Sequence, residues 1–139
     1  MLNEFNLVET FTTPEGTVNI YDNGLLETII NEGAYIDVPY LLLGKSKVEQ
    51  LGPGKKFYAL AEGVGHYRIS REARQLCAGK EYSSHLAAVA VIINNASVKL
   101  VVDLYLKIDK PSTPTKAFTK REEAISWLLD RMEKGSANV

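Results

Sequence analysis

The chain has 139 residues, of which 45% are hydrophobic and 24% charged, and this fits one globular domain spanning residues 1–139. Sixteen Lys and Arg residues against seventeen Asp and Glu residues give a formal net charge of -1. This balance excludes the strongly basic surface of a general nucleic-acid-binding protein. The single cysteine excludes a disulfide within the chain and a cysteine-cluster metal site, and it indicates a reducing, cytoplasmic location.

The first thirty residues predict one β-hairpin. Residues 1–15 show neither a clear periodicity nor a signal-peptide pattern, and we expect them to be irregular. The runs 17–21 and 25–30 flank Asp22-Asn23-Gly24, a triplet typical of hairpin turns. No apolar run approaches the roughly 20 residues that span a bilayer, so we expect no stable membrane insertion.

Two helices are marked by the residues at their ends. Asp37 is a candidate N-cap for a helix that accepts Pro39 in its first turn and ends at Gly52, because the first amide groups of a helix have no partner within it. Ser70 is a candidate N-cap for a second, shorter helix, and Gly79 suits its C-terminal end.

Two short apolar runs between and after these helices predict buried strands. Residues 57–62 are aromatic and lie between glycines, and residues 86–93 contain no polar side chain, as expected of a strand covered on both faces. Thr119, with Glu122 three residues later, predicts the start of a final amphipathic helix, and we expect residues 135–139 to fray. The alternation predicts an α/β layer fold with a mixed sheet of four to five strands and about four helices.

The segment from Val98 to Asp109 fits two patterns. Its aliphatic residues alternate with period two, which predicts a strand. Lys99, Asp103 and Lys107 also recur every four residues, which predicts a charged stripe on an otherwise apolar helix. Periodicity alone leaves both structures open.

The C-terminal third carries a family resemblance. Lys110-Pro111, then residues 114–119 (PTKAFT) and 122–128 (EEAISWL), resemble small bacterial proteins of the SpoIIAA-like, or STAS-like, family. The resemblance implies a STAS fold in which a helix precedes the last strand, so it favours the helical structure for Val98 to Asp109. It also implies a non-catalytic role in regulation or scaffolding through protein–protein binding.

Members of that family include regulators in which a partner kinase phosphorylates a Ser or Thr after a central strand. The counterpart implied here is Ser70, with Arg68 and Arg71 able to pair with an added phosphate. The family has Asp directly before the modified residue, whereas this chain has Ile69. The alternative is that Ser70 only caps its helix.

If Val98 to Ile108 is a helix, its apolar surface is wider than the part that one face of the sheet can bury. The alternatives are a deeply buried helix, a homodimer contact, or a pocket for an apolar, lipid-type ligand. The candidate residues for the contact or pocket are Val98, Val101, Val102 and Tyr105.

Other chemistries find less support in the sequence. His66, His85 and Cys77 lack the spacing of a zinc site, and the pattern Gly63-Val64-Gly65 lacks the third glycine of a nucleotide-binding loop. We therefore expect no metal and no cofactor, and we rank an enzyme of unknown reaction below the two binding hypotheses.

Overall fold

The computed structural model describes residues 5–137 and shows a large and a small β-sheet, with helices on both faces of the large sheet. In chain order the strands are β1 (Leu7–Thr13), β2 (Gly16–Tyr21), β3 (Leu25–Ile30), β4 (Tyr35–Ile36), β5 (Phe57–Gly63), β6 (Arg68–Ile69), β7 (Leu86–Ile92) and β8 (Thr115–Phe118). The helices are α1 (Val38–Leu51), α2 (Arg71–Ala78), α3 (Ala96–Leu104) and α4 (Arg121–Ala137), with a 3-10 helix at Tyr82–His85 and a π-helical turn at Tyr105–Asp109.

The large sheet has the strand order β1-β2-β3-β5-β7-β8. Strands β1 to β3 form an antiparallel meander, and β3, β5, β7 and β8 run parallel to one another. The short strands β4 and β6 pair in parallel as a separate sheet. The predicted α/β class, mixed sheet and four helices are confirmed, but the strands outnumber the predicted four to five.

The N-terminal segment differs from the prediction. Residues 7–13, expected to be irregular, form β1, which pairs with β2 in an antiparallel ladder. β1 is an edge strand in which Leu7, Val8, Glu9 and Thr10 are all exposed, so burial alternates only over its last three residues, too few to show a pattern in the sequence.

The C-terminal helix also has different ends from those predicted. It begins at Arg121, so that Lys120 rather than Thr119 precedes it, and it continues through Gly135 to Ala137 where fraying was expected. Asn138 and Val139 lie outside the described residues. The predicted hairpin is confirmed, with β2 and β3 joined by a turn in which Gly24 has a φ of +94°.

Residues 98–109 are helical, as the resemblance implies. The side chain of Asn95 caps α3 by accepting a hydrogen bond of 2.9 Å from the amide of Val98. Lys99 donates to Asp103 at 2.7 Å, so the charged residues recur with helical spacing.

Alternate residues of the large sheet pack into two separate cores. In β7, Ala88 and Ala90 face α4, whereas Val89 and Val91 face the opposite side, which is covered by α1, α2 and α3. The α4 side is closed by fully buried residues such as Leu128. The three-helix side holds the cavity described next.

Candidate functional site

A cavity of about 240 Å³ lies between the large sheet and helices α1, α2 and α3. All six strands of the large sheet contribute to the lining, mainly the neighbouring strands β3, β5 and β7, through Leu26, Thr28, Ala59, Ala61, Val89 and Val91. The three helices, the 3-10 helix and the π-helical turn supply the other walls. The cavity is mostly apolar, and most of its polar groups come from the helical side.

Small residues explain why space remains here. Ala59 and Ala61 are the cavity-facing residues in the middle of β5, and Gly44 lies above them on α1. A buried strand usually presents branched aliphatic side chains, which would fill the gap between sheet and helix. These three positions lack that volume, so the sheet and the helices enclose a space.

Four polar side chains from four different elements meet at the cavity, and we call them the tyrosine cluster: Tyr40, Cys77, Tyr82 and Tyr105. They lie on α1, α2, the 3-10 helix and the π-helical turn, respectively. The Tyr82 hydroxyl donates a long hydrogen bond of 3.4 Å to the carbonyl oxygen of Leu41. Tyr82 is at the centre of the cluster, because Cys77, Tyr40 and Tyr105 all act on its ionisation.

The tyrosine cluster is uncharged at neutral pH. Burial, with a smaller contribution from Glu15, raises the pKa of Tyr40 to about 12. Burial also raises the pKa of the Cys77 thiol to about 12, and it raises the pKa values of Tyr82 and Tyr105. The phenols therefore remain hydrogen-bond donors, and the thiol is a poor nucleophile.

Three basic residues line the cavity, whereas none of the described lining residues is acidic. Arg74 pairs with Asp109 through an Nε–Oδ2 contact of 2.9 Å, and both side chains are largely buried. His85 is buried, with its Nδ1 3.0 Å from the carbonyl oxygen of Tyr82. Burial, helped by the nearby Lys45, lowers the pKa of His85 although its contact with the Tyr82 carbonyl opposes this change, so the ring is neutral near pH 7.

Lys45 holds the 3-10 helix against α1. Its ammonium group donates to the carbonyl oxygens of Glu81 and Tyr82 at 2.5 and 2.8 Å and to Oγ of Ser84 at 3.3 Å. An ammonium has three N–H groups, so these three acceptors satisfy it. Lys45 therefore fixes the segment that carries Tyr82 and His85 into the cavity wall.

The four residues predicted for an interface or a pocket divide between two environments. Val101, Val102 and Tyr105 line the cavity, and Val98 is buried in the core beside it. The exposed apolar side chains of this element are different ones, Leu100, Leu104 and Ile108. These three residues recur every four positions, as Lys99, Asp103 and Lys107 do, and this spacing is the sequence pattern that could have identified them.

Ser70 is buried, and its side chain has two partners. Its Oγ accepts a hydrogen bond of 3.0 Å from the amide of Ala73 and donates one of 2.8 Å to Oδ1 of Asp37. Arg68 and Arg71 are exposed beside it. The predicted helix cap is confirmed, and the predicted anion site would place a phosphate against the Asp37 carboxylate.

A polar cluster on the opposite face of the sheet was missed by sequence reasoning. Arg121, at the start of α4, contacts the carboxylates of both Glu27 and Glu62, the second at 2.7 Å. Asn19 donates to Glu27 at 2.9 Å. Burial alone would raise the pKa of Glu27, but the hydrogen bonds from Asn19 and Arg121 outweigh burial and lower it. Arg121 bridges the two carboxylates, so this cluster attaches α4 to the sheet.

Sequence signals for the cavity itself were weak. Tyr40, Cys77 and Tyr82 are far apart in the chain and share no motif, because folding brings them together. Within residues 5–137, no group of three or more His, Cys, Asp or Glu side chains is arranged to hold a metal ion. None of the helices in this range is both long enough and apolar enough to cross a membrane.

Residues 19–131 match a family described as a domain of unknown function, DUF7793. The chain belongs to the DUF7793 family. The DUF7793 match includes the whole tyrosine cluster and all three basic residues of the cavity. No curated protein matches the sequence.

Among solved structures, this DUF7793 chain is similar to an uncharacterized protein of the DUF3478 family from Shewanella loihica PV-4, described as having a SpoIIAA-like fold. The two chains are 14% identical, with a TM-score of 0.49, and the similarity covers 86% of this chain and 90% of the other.

Proposed function

We propose that the protein binds a small apolar molecule in the cavity between the sheet and helices α1 to α3. The observation that carries this proposal is the unfilled, mostly apolar space of about 240 Å³ with a few polar groups at one side. Ligand sites in proteins commonly have this composition. An apolar cavity of about 150 Å³ already holds benzene, so this one suits a two-ring aromatic molecule or an aliphatic chain of similar bulk.

The lining also leaves room for an occupant. Larger side chains at Ala59 and Ala61 would fill part of the space, so these two small residues keep it accessible to a ligand.

Binding fits the cavity chemistry better than catalysis does. The Cys77 thiol has a raised pKa, so very little of it is the nucleophilic thiolate near neutral pH. Arg74 is paired, and the three tyrosines of the cluster are protonated. A carrier or sensor needs only the apolar walls and the polar groups that orient its ligand.

The experiment is binding of naphthalene, measured by saturation-transfer NMR and by the rise in midpoint temperature of thermal unfolding. A ligand at a hundred times its dissociation constant stabilises the folded state by about 2.7 kcal/mol. Ala61→Leu should abolish binding by filling the cavity, and Ala59→Val should weaken it. Ala96→Leu, at the exposed start of α3, is the matched control and should bind as the native chain does.

Absence of naphthalene binding to the native protein would contradict the proposal. Equal binding by Ala61→Leu would also contradict it, provided that circular dichroism shows the variant to be folded. The milder Ala59→Val change keeps the test decisive if Ala61→Leu does not fold.

A second candidate is regulatory protein–protein binding, which the SpoIIAA-like resemblance implies, here through a homodimer. The favouring observation is a stripe on one side of α3 and its π-helical extension, where Leu100, Leu104 and Ile108 are 74%, 38% and 69% exposed. Residues spaced by four lie on one helical face, and an exposed apolar stripe is typical of an interaction surface. A second copy of the chain would bury both stripes.

Light scattering after gel filtration tests this candidate across a wide concentration range. The dimer should dissociate in the double variant Leu100→Lys with Ile108→Lys. Leu42→Lys, at an exposed apolar position on α1, is the control and should leave the dimer intact. A native protein that stays monomeric at the highest concentration would remove this candidate.

A further inference from the structure

Two phenolic hydroxyl groups at the cavity are available to a ligand. Tyr40 and Tyr105 line the cavity, and neither hydroxyl has a hydrogen-bond partner among residues 5–137. Within that range, Thr13 Oγ1 is the single side-chain polar atom that is both enclosed and unpaired. The hydroxyls of Tyr40 and Tyr105 therefore border open space rather than packed atoms. A buried polar group gains most from a partner that it otherwise lacks.

The two permanently charged side chains that line the cavity, Arg74 and Lys45, already have partners within the protein. The guanidinium of Arg74 is held at 2.9 Å by the carboxylate of Asp109, whose side chain is only 7% exposed. The ammonium of Lys45 is satisfied by three oxygen acceptors of the 3-10 segment, at 2.5 to 3.3 Å. Asp109 neutralises the charge of Arg74, and the ammonium of Lys45 also lies 3.7 Å from the carboxylate of Glu49, so an anionic ligand would meet no uncompensated positive charge.

His85 supplies no free positive charge either, because burial keeps its ring neutral near pH 7. A cationic ligand would meet no carboxylate among the described lining residues. An ion taken from water into an apolar site without a partner costs several kcal/mol. The cavity thus disfavours a charge of either sign and offers neutral hydrogen-bonding groups.

Resting on the proposed function, we infer that the ligand is an uncharged molecule with an apolar body and one hydrogen-bonding oxygen, which the hydroxyls of Tyr40 and Tyr105 recognise. Alcohols, phenols, ketones and esters have this chemistry, and carboxylates and amines do not. The protonated phenols can donate to the oxygen or accept from its hydroxyl group.

Three probes with the same ring system test the inference: naphthalene, 1-naphthol and 1-naphthoate. Dissociation constants are measured by ligand-observed NMR titration at neutral pH. 1-Naphthol should bind about three- to tenfold more tightly than naphthalene, the range expected for one net neutral hydrogen bond. 1-Naphthoate should bind at least about tenfold more weakly than 1-naphthol.

Variants separate the hydroxyl groups from the rings that carry them. Tyr40→Phe with Tyr105→Phe should bring the ratio of the affinities for 1-naphthol and naphthalene to about one. Tyr35→Phe, at an exposed site on β4, is the matched control and should change neither affinity. Asp109→Asn frees the guanidinium of Arg74, so it should increase the affinity for 1-naphthoate about tenfold or more.

The outcomes can contradict the inference of an uncharged, oxygen-bearing ligand without contradicting the proposed binding of an apolar molecule. Naphthalene and 1-naphthol binding equally, in the native chain and in the Phe variants, would overturn the inference and leave the cavity a site for purely apolar molecules. 1-Naphthoate binding most tightly would also overturn it, in favour of an anion site at Arg74 or Lys45. Failure of all three probes would overturn the proposed function itself.

Discussion

The hydroxyl of Ser70 donates a hydrogen bond of 2.8 Å to the carboxylate of Asp37, and each of these residues is the N-cap of its own helix. The strands directly before the two caps are also paired, Ile36 with Ile69. The starts of α1 and α2 are thus joined twice, by a side-chain and by a backbone contact. These two helices form much of the cavity wall.

Replacing Ser70 should destabilise the fold through this joint. Ser70→Ala removes the cap of α2, which costs about 1 kcal/mol, and it also removes a partner of Asp37. Ser70→Asp keeps a capping side chain but places a second carboxylate beside Asp37, so it should be at least as destabilising near pH 7. Urea unfolding at neutral pH measures both changes.

The acid dependence of stability should change with Ser70. The hydrogen bond from Ser70 is the main cause of the lowered pKa of Asp37. A lowered carboxyl pKa contributes stability above its ordinary value and loses it as the pH falls through the folded-state value. Ser70→Ala should therefore lose less stability on acidification than the native chain. An unchanged acid profile would contradict this role of the hydrogen bond.

Arg121 should be the most sensitive position on the α4 side of the sheet. Arg121→Met leaves Glu27 buried without its cation, which should cost about 3 kcal/mol, the lower end for a buried pair because Arg121 is one-third exposed. Lys120→Met, at the exposed neighbouring position, should change stability by no more than about 0.5 kcal/mol. Urea unfolding of the two variants gives the comparison.

The pH profile of Arg121→Met should invert. In the native chain the pKa of Glu27 is lowered, so its contribution is present above the ordinary value and is lost as the pH falls. Without Arg121, burial would dominate and raise the pKa, and the variant would gain stability on acidification through that range. Parallel profiles for the variant and the native chain would show that the hydrogen bonds from Asn19 and Tyr21 keep Glu27 ionised without Arg121.

His85 should make the fold less stable in mild acid. Its pKa is lowered mainly by burial, so the unfolded chain binds the proton more readily than the folded chain does. This contribution is complete above the ordinary histidine value of 6.5 and declines as the pH falls toward the folded-state value. His85→Gln should flatten the stability profile in that window, whereas His66→Gln, at an exposed site, should leave it unchanged.

Cys77 should react slowly with thiol reagents in the folded protein. Near pH 8, a pKa of about 12 instead of 9.0 lowers the thiolate fraction on the order of a thousandfold. The rate with dithiobis(nitrobenzoate) should therefore rise by at least two orders of magnitude in denaturing urea. Because Cys77 lines the cavity, a bound apolar probe should slow the native reaction further. A native rate close to the denatured rate would mean that the thiol is open to solvent.

Local patterns predicted the elements whose signals are local. The turn before Leu25, the caps Asp37 and Ser70, and the apolar run of β7 each act within a few residues, and the structure has them at the predicted places. Strand β1 was missed because the first four residues of this edge strand are exposed and only its last three alternate in burial. Strands β4 and β6, of two residues each, are too short to show one.

The candidate site was predicted only in part, for a physical reason. The excess of apolar residues in α3 indicated a pocket or an interface, and Val101, Val102 and Tyr105 do line the cavity. The space itself depends on volume missing from Ala59 and Ala61, whose partners across the gap are distant in the chain. A one-dimensional pattern shows which residues are buried but not whether the residues facing them reach far enough to touch.

The two alanines of β5, Ala59 and Ala61, determine the width of the cavity. Both residues lie in a central strand that is paired on both sides. A larger or smaller side chain there should therefore change the width of the cavity without changing the register of the sheet. Ala59→Gly would admit bulkier molecules, and Ala59→Val would admit only slimmer ones. Under the proposed function, Ala59 and Ala61 would set the width of molecule that the cavity accepts, and Tyr40 and Tyr105 would recognise its oxygen.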